Sequence, residues 1–322
     1  MNAISIARPG GPEVLQPTTH PVPRPAAGEV LIEVAYAGVN RHDCGQRSRG
    51  YGPPGATDIP GLEVSGTVAA AGDGVTRWKT GDAVCALVNG GGYAQYCIAA
   101  EPLTLPIPEG FDLKLAAGLP EALFTAWLNV FRLGRLKAGE WLLVHGGSSG
   151  VGTMTIQIAR LEGAHVLTTV GSSAKAKVCL ELGAQAAINY REQDFVAAVK
   201  EATAGRGADV ILDVVGGEYA ARNLDALAMD GRLVHLSGGG EFRVPLAAIM
   251  GKRAIVTGSL LRASAQSLKA ELLREIMDRV WPHLGSRVRP IVDSVFPLAQ
   301  AADAHARMEA SVHIGKILLE NR

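Results

Sequence analysis

Cysteine is scarce in this chain: Cys44, Cys85, Cys97 and Cys179 are its four in 322 residues, and no two form a CxxC pair. That argues against a disulfide framework and predicts reduced, mostly packed thiols. Charge of one sign is also lacking, because Lys plus Arg and Asp plus Glu number 31 each. No net field exists to gather nucleic acid or an anionic membrane. Aromatic residues make up only 5% of the chain, which is thin material for base-stacking platforms. No apolar run approaches the roughly eighteen residues of a membrane span. Met1 to Gly11 holds no basic segment followed by an apolar stretch. A cytoplasmic protein with neither a membrane nor a nucleic-acid partner is expected.

What the chain does have is apolar material, 48% of its residues, enough for two cores of ordinary size. Val30, Ile32 and Val34 alternate at period two, and short strand-like runs follow at 63–71 and 82–88, broken by Gly90, Gly91 and Gly92. The first third therefore reads as a twisted β-rich domain. Near Leu115 the texture turns helical. From Trp141 onward, short apolar runs at 141–145, 166–170, 210–215, 233–236 and 254–256 are separated by helical or turn-rich segments. That is the pattern of parallel strands buried on both faces. We expect a catalytic domain over 1–122, a doubly wound α/β cofactor domain over 123–260, and a tail, 261–322, that returns to the first domain. Within the tail, a helix near 267–281 and a strand at 316–320 are expected.

The clearest local signal is strand, glycine-serine loop, helix. Gly147, Ser148, Ser149, Gly150, Val151 and Gly152 follow the run 141–145, and Val151, Met154, Ile158 and Leu161 then recur at helical spacing. Glycines at 147, 150 and 152 remove side chains that would block a pyrophosphate from the amides of a helix N-terminus. Ser149 stands where the usual G-x-G-x-x-G has its middle glycine, so the context carries this reading, and a tight turn without ligand is the bland alternative.

The end of the second strand selects the cofactor. An NAD enzyme places Asp or Glu there to bind the adenosine ribose, whereas this chain reads Val170-Gly171-Ser172. No carboxylate would repel a 2′-phosphate, Ser172 can donate a hydrogen bond, and Lys175 can supply positive charge. NADPH is expected, with one charge-assisted contact of about 1.5 to 3 kcal/mol giving roughly ten- to hundred-fold preference over NADH. A solvated lysine on a helix face is the alternative for Lys175.

Several motifs occur together: Gly38-Val39-Asn40-Arg41-His42-Asp43, Pro60-Gly61-Leu62-Glu63-Val64-Ser65-Gly66, Gly81-Asp82-Ala83-Val84, Pro120-Glu121 with Thr125-Ala126-Trp127, and the loop at Gly147. Through them essentially the whole chain resembles the medium-chain dehydrogenase/reductase superfamily. The resemblance implies a Rossmann cofactor domain beside a GroES-like catalytic domain. In the alcohol dehydrogenase branch a zinc-binding cysteine stands at what is here Asn40, and a histidine at what is here Leu62. Both are missing, and the lobe that holds structural zinc in that branch needs four close cysteines where this chain offers Cys85 and Cys97. No metal is expected. Without a Lewis acid, alkoxide chemistry loses its main support, whereas quinones and conjugated enones accept hydride readily.

The chain is more similar still to the zinc-independent quinone oxidoreductases, and within them to the tumour-suppressor-induced subgroup. Gln46-Arg47 with Tyr51, Ala187-Ile188-Asn189-Tyr190, Gly216-Gly217-Glu218-Tyr219, Gly258-Ser259-Leu260-Leu261-Arg262 and His313-Ile314-Gly315-Lys316 carry that likeness. It implies that Lys175, Tyr190 and Ser172 hold the 2′-phosphate, that Asn40 and Thr125 lie near the nicotinamide, and that Ser237, Gly238 and Leu260 line the cofactor cleft. Tyr51 is similar to a tyrosine facing the substrate, and Tyr51 and Asn40 are the candidate catalytic residues. Glu63 would accept hydrogen bonds that shape the cleft. On their chemistry alone, Asn40 also suits a turn cap, Tyr190 a strand-end aromatic, and Tyr51 simple packing in a Gly/Pro loop.

The expected activity is NADPH-dependent reduction of a small-molecule quinone, by a homodimer if the resemblance holds. An enone or enoyl-thioester reductase is the nearest enzyme alternative. A non-catalytic nucleotide-binding, structural or RNA-binding protein is the alternative of another class.

Overall fold

A computed structural model describes residues 1–50, 57–236 and 239–321. The chain divides into two compact units, Met1–Ala122 with Arg262–Arg322, and Leu123–Leu261. The first stretch contains β1 (Asn2–Ile6), β2 (Leu15–Thr19), β3 (Glu29–Val39), α1 (Arg41–Arg49), β4 (Glu63–Ala71), β5 (Ala83–Leu87), β6 (Tyr96–Ala100) and β7 (Thr104–Pro106). Two short helices follow, α2 (Leu113–Ala116) and α3 (Pro120–Ala126). The second unit then runs through a π-helical segment, Trp127–Leu133, and alternates β8 (Trp141–His145), α4 (Gly150–Leu161), β9 (His165–Val170), α5 (Ser173–Glu181) and β10 (Ala186–Asn189). It continues with α6 (Phe195–Ala202), β11 (Ala208–Asp213), α7 (Ala220–Ala226), β12 (Leu227–His235), α8 (Leu246–Lys252) and β13 (Ile255–Gly258). The returning tail supplies α9 (Gln266–Arg279), β14 (Val292–Pro297), α10 (Ala301–Glu309) and β15 (Lys316–Glu320).

In the β-rich unit, β3 is long enough to serve several partners. Its first half pairs with β6, its last residues with β15, and most of its length with β4 on the other side. The alternation seen in the sequence buries Val30, Ile32 and Val34 with Val64, Val68 and Val84, at about 1.5–3 kcal/mol for each side chain removed from water. Where the β3–β4 register slips, between Val34 and Tyr36, Gly66 sits so close that a Cβ would lie 1.9 Å from the Glu33 carbonyl. β15 is inserted between β14, to which it is parallel, and β3, to which it is antiparallel.

The second unit is a six-stranded sheet in the order β10-β9-β8-β11-β12-β13, every pairing parallel. Counted from β8 this is 3-2-1-4-5-6, the doubly wound arrangement whose strand order reverses between β8 and β11. Leu142, Leu143, Val144, Val210, Ile211 and Leu212 are fully buried, which is why these strands read as unbroken apolar runs. β12 begins at Leu227, six residues before the run at 233–236, because Met229 and Asp230 are exposed and Gly231 interrupts the pattern. β10 is a four-residue edge strand whose two alanines are only half buried, too weak a pattern to stand out. Among the described residues no helix is long and apolar enough to cross a membrane.

Candidate active site

The glycine-serine loop leaves β8 at the point where the strand order reverses. Gly146 turns with φ +69, and the amides of Gly146 and Gly147 both donate to the Thr169 carbonyl at 3.1 Å. Gly147 has no room for a side chain, since a Cβ would stand 1.8 Å from Thr168 Oγ1. Ser149 is the N-cap of α4, its hydroxyl accepting from the Gly152 amide at 3.0 Å. The amides of Gly150 and Val151, first in the helix, have no carbonyl to reach within it. Together with the helix dipole they offer unpaired donors suited to an anion at the carboxyl edge of a parallel sheet. Ser148 is buried beside them.

A polar network that the sequence reading passed over supports this loop from below. His145 shares a hydrogen bond with Thr169 Oγ1 (2.9 Å) and, on its other nitrogen, with Asn223 Oδ1 (2.7 Å). Asn223 Nδ2 in turn donates to Asp213 Oδ2 at 3.0 Å, so the His145 nitrogen beside Asn223 is the donor and the one beside Thr169 the acceptor. Burial lowers the His145 pKa and keeps the ring neutral, only partly opposed by Asn223 and Asp213. Burial works against the Asp213 charge, but His235 and the amides of Val215 and Gly216 outweigh it and hold that carboxyl below the usual range. The available signal was a polar residue ending an apolar run, His145, and a carboxylate inside one, Asp213.

At the neighbouring strand ends Ser172 and Tyr190 flank Gly171, and Lys175 stands in the first turn of α5. Ser172 caps α5, its hydroxyl accepting from the Lys175 amide, which leaves its own hydrogen to donate. β10 pairs with β9 through Asn189 and Val170, and the next amide, Tyr190, donates to the Val170 carbonyl at 3.1 Å. The Tyr190 hydroxyl lies over Gly171, where a Cβ would approach it to 2.8 Å, and the residue is 46% exposed. No carboxylate stands between Val170 and Lys175. Farther along the sheet, Ser259 Oγ donates to Asn129 Oδ1 (2.8 Å), and Asn129 Nδ2 donates to the Thr125 carbonyl (2.8 Å). This chain ties the end of β13 to the π-helical segment, with Thr125 buried and Leu260 exposed.

In the β-rich unit, Asn40 is the N-cap residue of α1, and its amide donates to Asp43 Oδ2 at 2.8 Å. Its side chain turns the other way, with Nδ2 donating to Glu63 Oε1 at 2.9 Å and Oδ1 accepting from Lys316 Nζ at 2.7 Å. Lys316 also pairs with Glu63 Oε1, while Glu63 Oε2 accepts from the Glu121 amide at 2.9 Å. Gly38 makes room for that carboxylate, since a Cβ there would lie 2.2 Å from Glu63 Oε1. Lys316 entered the sequence reading only as part of a motif, and its role was missed. A lysine opening an otherwise apolar strand was the signal.

These donors do not suit zinc. Leu62 offers no ligand atom, and the Asn40 and Glu63 oxygens nearest one another are bonded to an ammonium whose charge a metal ion would oppose. Among the described residues no group of three His, Cys, Asp or Glu side chains could hold a metal. Tyr51, Ser237 and Gly238 lie outside the described residues.

Residues 26–109 match the alcohol dehydrogenase GroES-like domain, and residues 150–278 match the zinc-binding dehydrogenase family. The quinone oxidoreductase of Rattus norvegicus is 34% identical over 326 residues, which cover 99% of this chain and 97% of that protein. A crystal structure of Escherichia coli quinone oxidoreductase complexed with NADPH shares 29% identity with a TM-score of 0.88, covering 99% of this chain and 100% of that one. The CurK enoyl reductase structure shares 25% identity with a TM-score of 0.88, over 100% and 99% of the two chains. A β-rich GroES-like unit, a doubly wound cofactor-type sheet and a full-length relative at this identity lead to one statement: the chain belongs to the quinone oxidoreductase family of the medium-chain dehydrogenase/reductase superfamily.

Proposed function

We propose that this protein is a zinc-independent, NADPH-dependent quinone reductase. The observation that carries the proposal is the end of β9, where Ser172 caps α5, the Tyr190 hydroxyl lies over Gly171, Lys175 follows in the first helical turn and no carboxylate opposes a 2′-phosphate. Bound NADPH supplies the hydride, which a quinone accepts without a Lewis acid. The amides of Gly150 and Val151 bind the pyrophosphate, with Ser148, Ser149 and Gly152 shaping the turn. Ser172, Lys175 and Tyr190 hold the 2′-phosphate. Asn40 and Thr125 orient the nicotinamide, Ser237, Gly238 and Leu260 line its cleft, and Tyr51 contacts the quinone. The names of the rat relative and of the E. coli structure with NADPH support this reading.

Titration with NADPH and with NADH, followed by addition of 9,10-phenanthrenequinone with and without a strong zinc chelator, tests it. Tight NADPH binding and chelator-insensitive oxidation are the expected results, and a chelator-sensitive rate would sink the metal-free part. The similarity to an enoyl reductase supports a second reading, reduction of an activated carbon-carbon double bond. An enoyl thioester that is turned over when quinones are not would select it. For the cofactor, Lys175→Glu is expected to weaken NADPH binding by roughly ten- to hundred-fold while leaving NADH binding near its original value. Equal losses for both nucleotides would remove Lys175 from the phosphate site.

We place the protein in the cytoplasm as a homodimer. The exposed apolar residues Leu246 and Met250 on α8 and Ile255 on the edge strand β13 support association through that edge. Leu246→Glu with Met250→Glu should give a monomer in analytical ultracentrifugation, and an unchanged sedimentation coefficient would place the contact elsewhere.

A further inference from the structure

Lys316 begins β15 and is 4% exposed, with the fully buried Ile317 and Leu318 following it. A lysine ammonium is rarely held that deep unless it is paired. Its partners form a closed set: the Glu63 carboxylate and the Asn40 carboxamide oxygen accept from it, and Asn40 Nδ2 donates to that same carboxylate. The Asn40 side chain thus has a cation on its oxygen and an anion on its nitrogen. Turning the amide over would set NH2 against the ammonium and C=O against the carboxylate, exchanging two charge-assisted hydrogen bonds for two repulsions. One Nδ2 hydrogen stays uncommitted, and its direction is set by Lys316 and Glu63 rather than by Asn40 alone.

We propose that Lys316 is a positioning residue of the active site, its ammonium fixing the Asn40 carboxamide in one orientation so that the remaining Nδ2 hydrogen is presented to the reacting pair. The proposal rests on the reading that Asn40 orients the nicotinamide for quinone reduction. Lys316 also neutralises Glu63, whose buried carboxylate would otherwise oppose the negative charge that builds on a quinone oxygen as hydride arrives.

Removing the lysine alone strands a buried carboxylate, so Lys316→Met is expected to fold poorly. The double variant Glu63→Gln/Lys316→Met leaves a neutral pair of similar volume and separates stability from positioning. Its melting temperature should return to within a few degrees of the parent, and its NADPH dissociation constant should stay within about threefold. Its kcat for quinone should remain at least roughly tenfold down, because a misplaced reacting group costs rate rather than ground-state binding. A second readout needs no turnover. The Asn40 Nδ2 resonances in a 15N spectrum, assigned by their loss in Asn40→Asp, should be exchange-protected in the parent and unprotected in the double variant. Parental kcat together with protected Asn40 resonances in the double variant would overturn the proposal. If the parent reduces no quinone, the functional reading has failed, and the Asn40 resonances alone decide: protection that disappears with Lys316 upholds the positioning role, and unchanged protection overturns it.

Discussion

Gly152→Ala is expected to weaken NADPH binding by at least ~100-fold and to lower the melting temperature. A Cβ at 152 would stand 2.4 Å from the Gly146 carbonyl oxygen and 2.7 Å from the carbonyl group of Gly147. These are backbone atoms held by two hydrogen bonds to the Thr169 carbonyl, so no flexible side chain can yield. The first turn of α4 must move instead, carrying away the Ser149 cap and the amides of Gly150 and Val151 together. Overpacking of this kind costs about 1–3 kcal/mol in stability, and the binding loss adds to it because the displaced amides are those proposed to bind the pyrophosphate. Gly251, within α8, is the control: nothing lies within 4 Å of a Cβ built there. Gly251→Ala should leave NADPH binding alone and raise stability by roughly 0.5–1 kcal/mol through helix propensity. Fluorescence titration and thermal melts on both variants check this. Unaltered affinity in Gly152→Ala would mean that the loop does not hold the nucleotide.

The response of this protein's stability to acid should be set by one buried imidazole and a buried carboxyl that opposes it. His305 Nε2 meets the Tyr93 hydroxyl at 3.0 Å, and Tyr93 donates to Asp43 Oδ2 at 3.3 Å, all three side chains fully buried. Burial, with Arg47 nearby, pushes the His305 pKa down from 6.5 to about 3. Its contribution to stability is therefore complete above pH 6.5 and is lost as pH falls toward 3, roughly 3 kcal/mol of it by pH 4. Asp43 works in the opposite sense. Burial raises its carboxyl from 3.8 to about 6 against the hydrogen bonds from Asn40 and Gly61, so it stabilises the fold as pH drops through 6, by roughly 2 kcal/mol at pH 4. The two largely cancel in the parent, while His42, lowered to about 4 by burial and by Arg262 and Arg49, adds to the acid loss. In His305→Gln the Asp43 contribution is no longer masked. Melting temperatures measured from pH 7 to pH 4 should fall less in this variant, by an amount equivalent to roughly 3 kcal/mol. Parallel curves for parent and variant would show that His305 does not carry the acid response.

Much of this fold is legible in the sequence because its main strands are buried on both faces. Val210 to Leu212 and Leu142 to Val144 can be nothing but interior, and the glycines at 147 and 152 mark the turn between strand and helix without any tertiary knowledge. The strand end before Ser172 and Lys175 is readable for a similar reason, since it follows that turn at a fixed distance. What escapes is whatever depends on distant partners. β14 is nowhere fully buried, and among the described strands it pairs with β15 alone. The His145 network draws on four strands and a helix, and no spacing rule joins residue 145 to residue 223. Lys316 and Asn40 lie 276 positions apart, so a lysine opening an apolar strand marks Lys316 as unusual without naming its partner.

The insertion of β15 between β14 and β3 has a consequence for the order in which the chain can take shape as it leaves the ribosome. Residues 123–261 form a contiguous unit and can close their sheet as soon as they have emerged. The β-rich unit begins earlier but cannot finish. Until Lys316–Glu320 appears, Tyr36 to Val39 lack their partners along one edge of β3, and Glu63 is a carboxylate with its cation still unmade. The unit synthesised first is completed last, and the residue that completes its sheet also neutralises its buried charge.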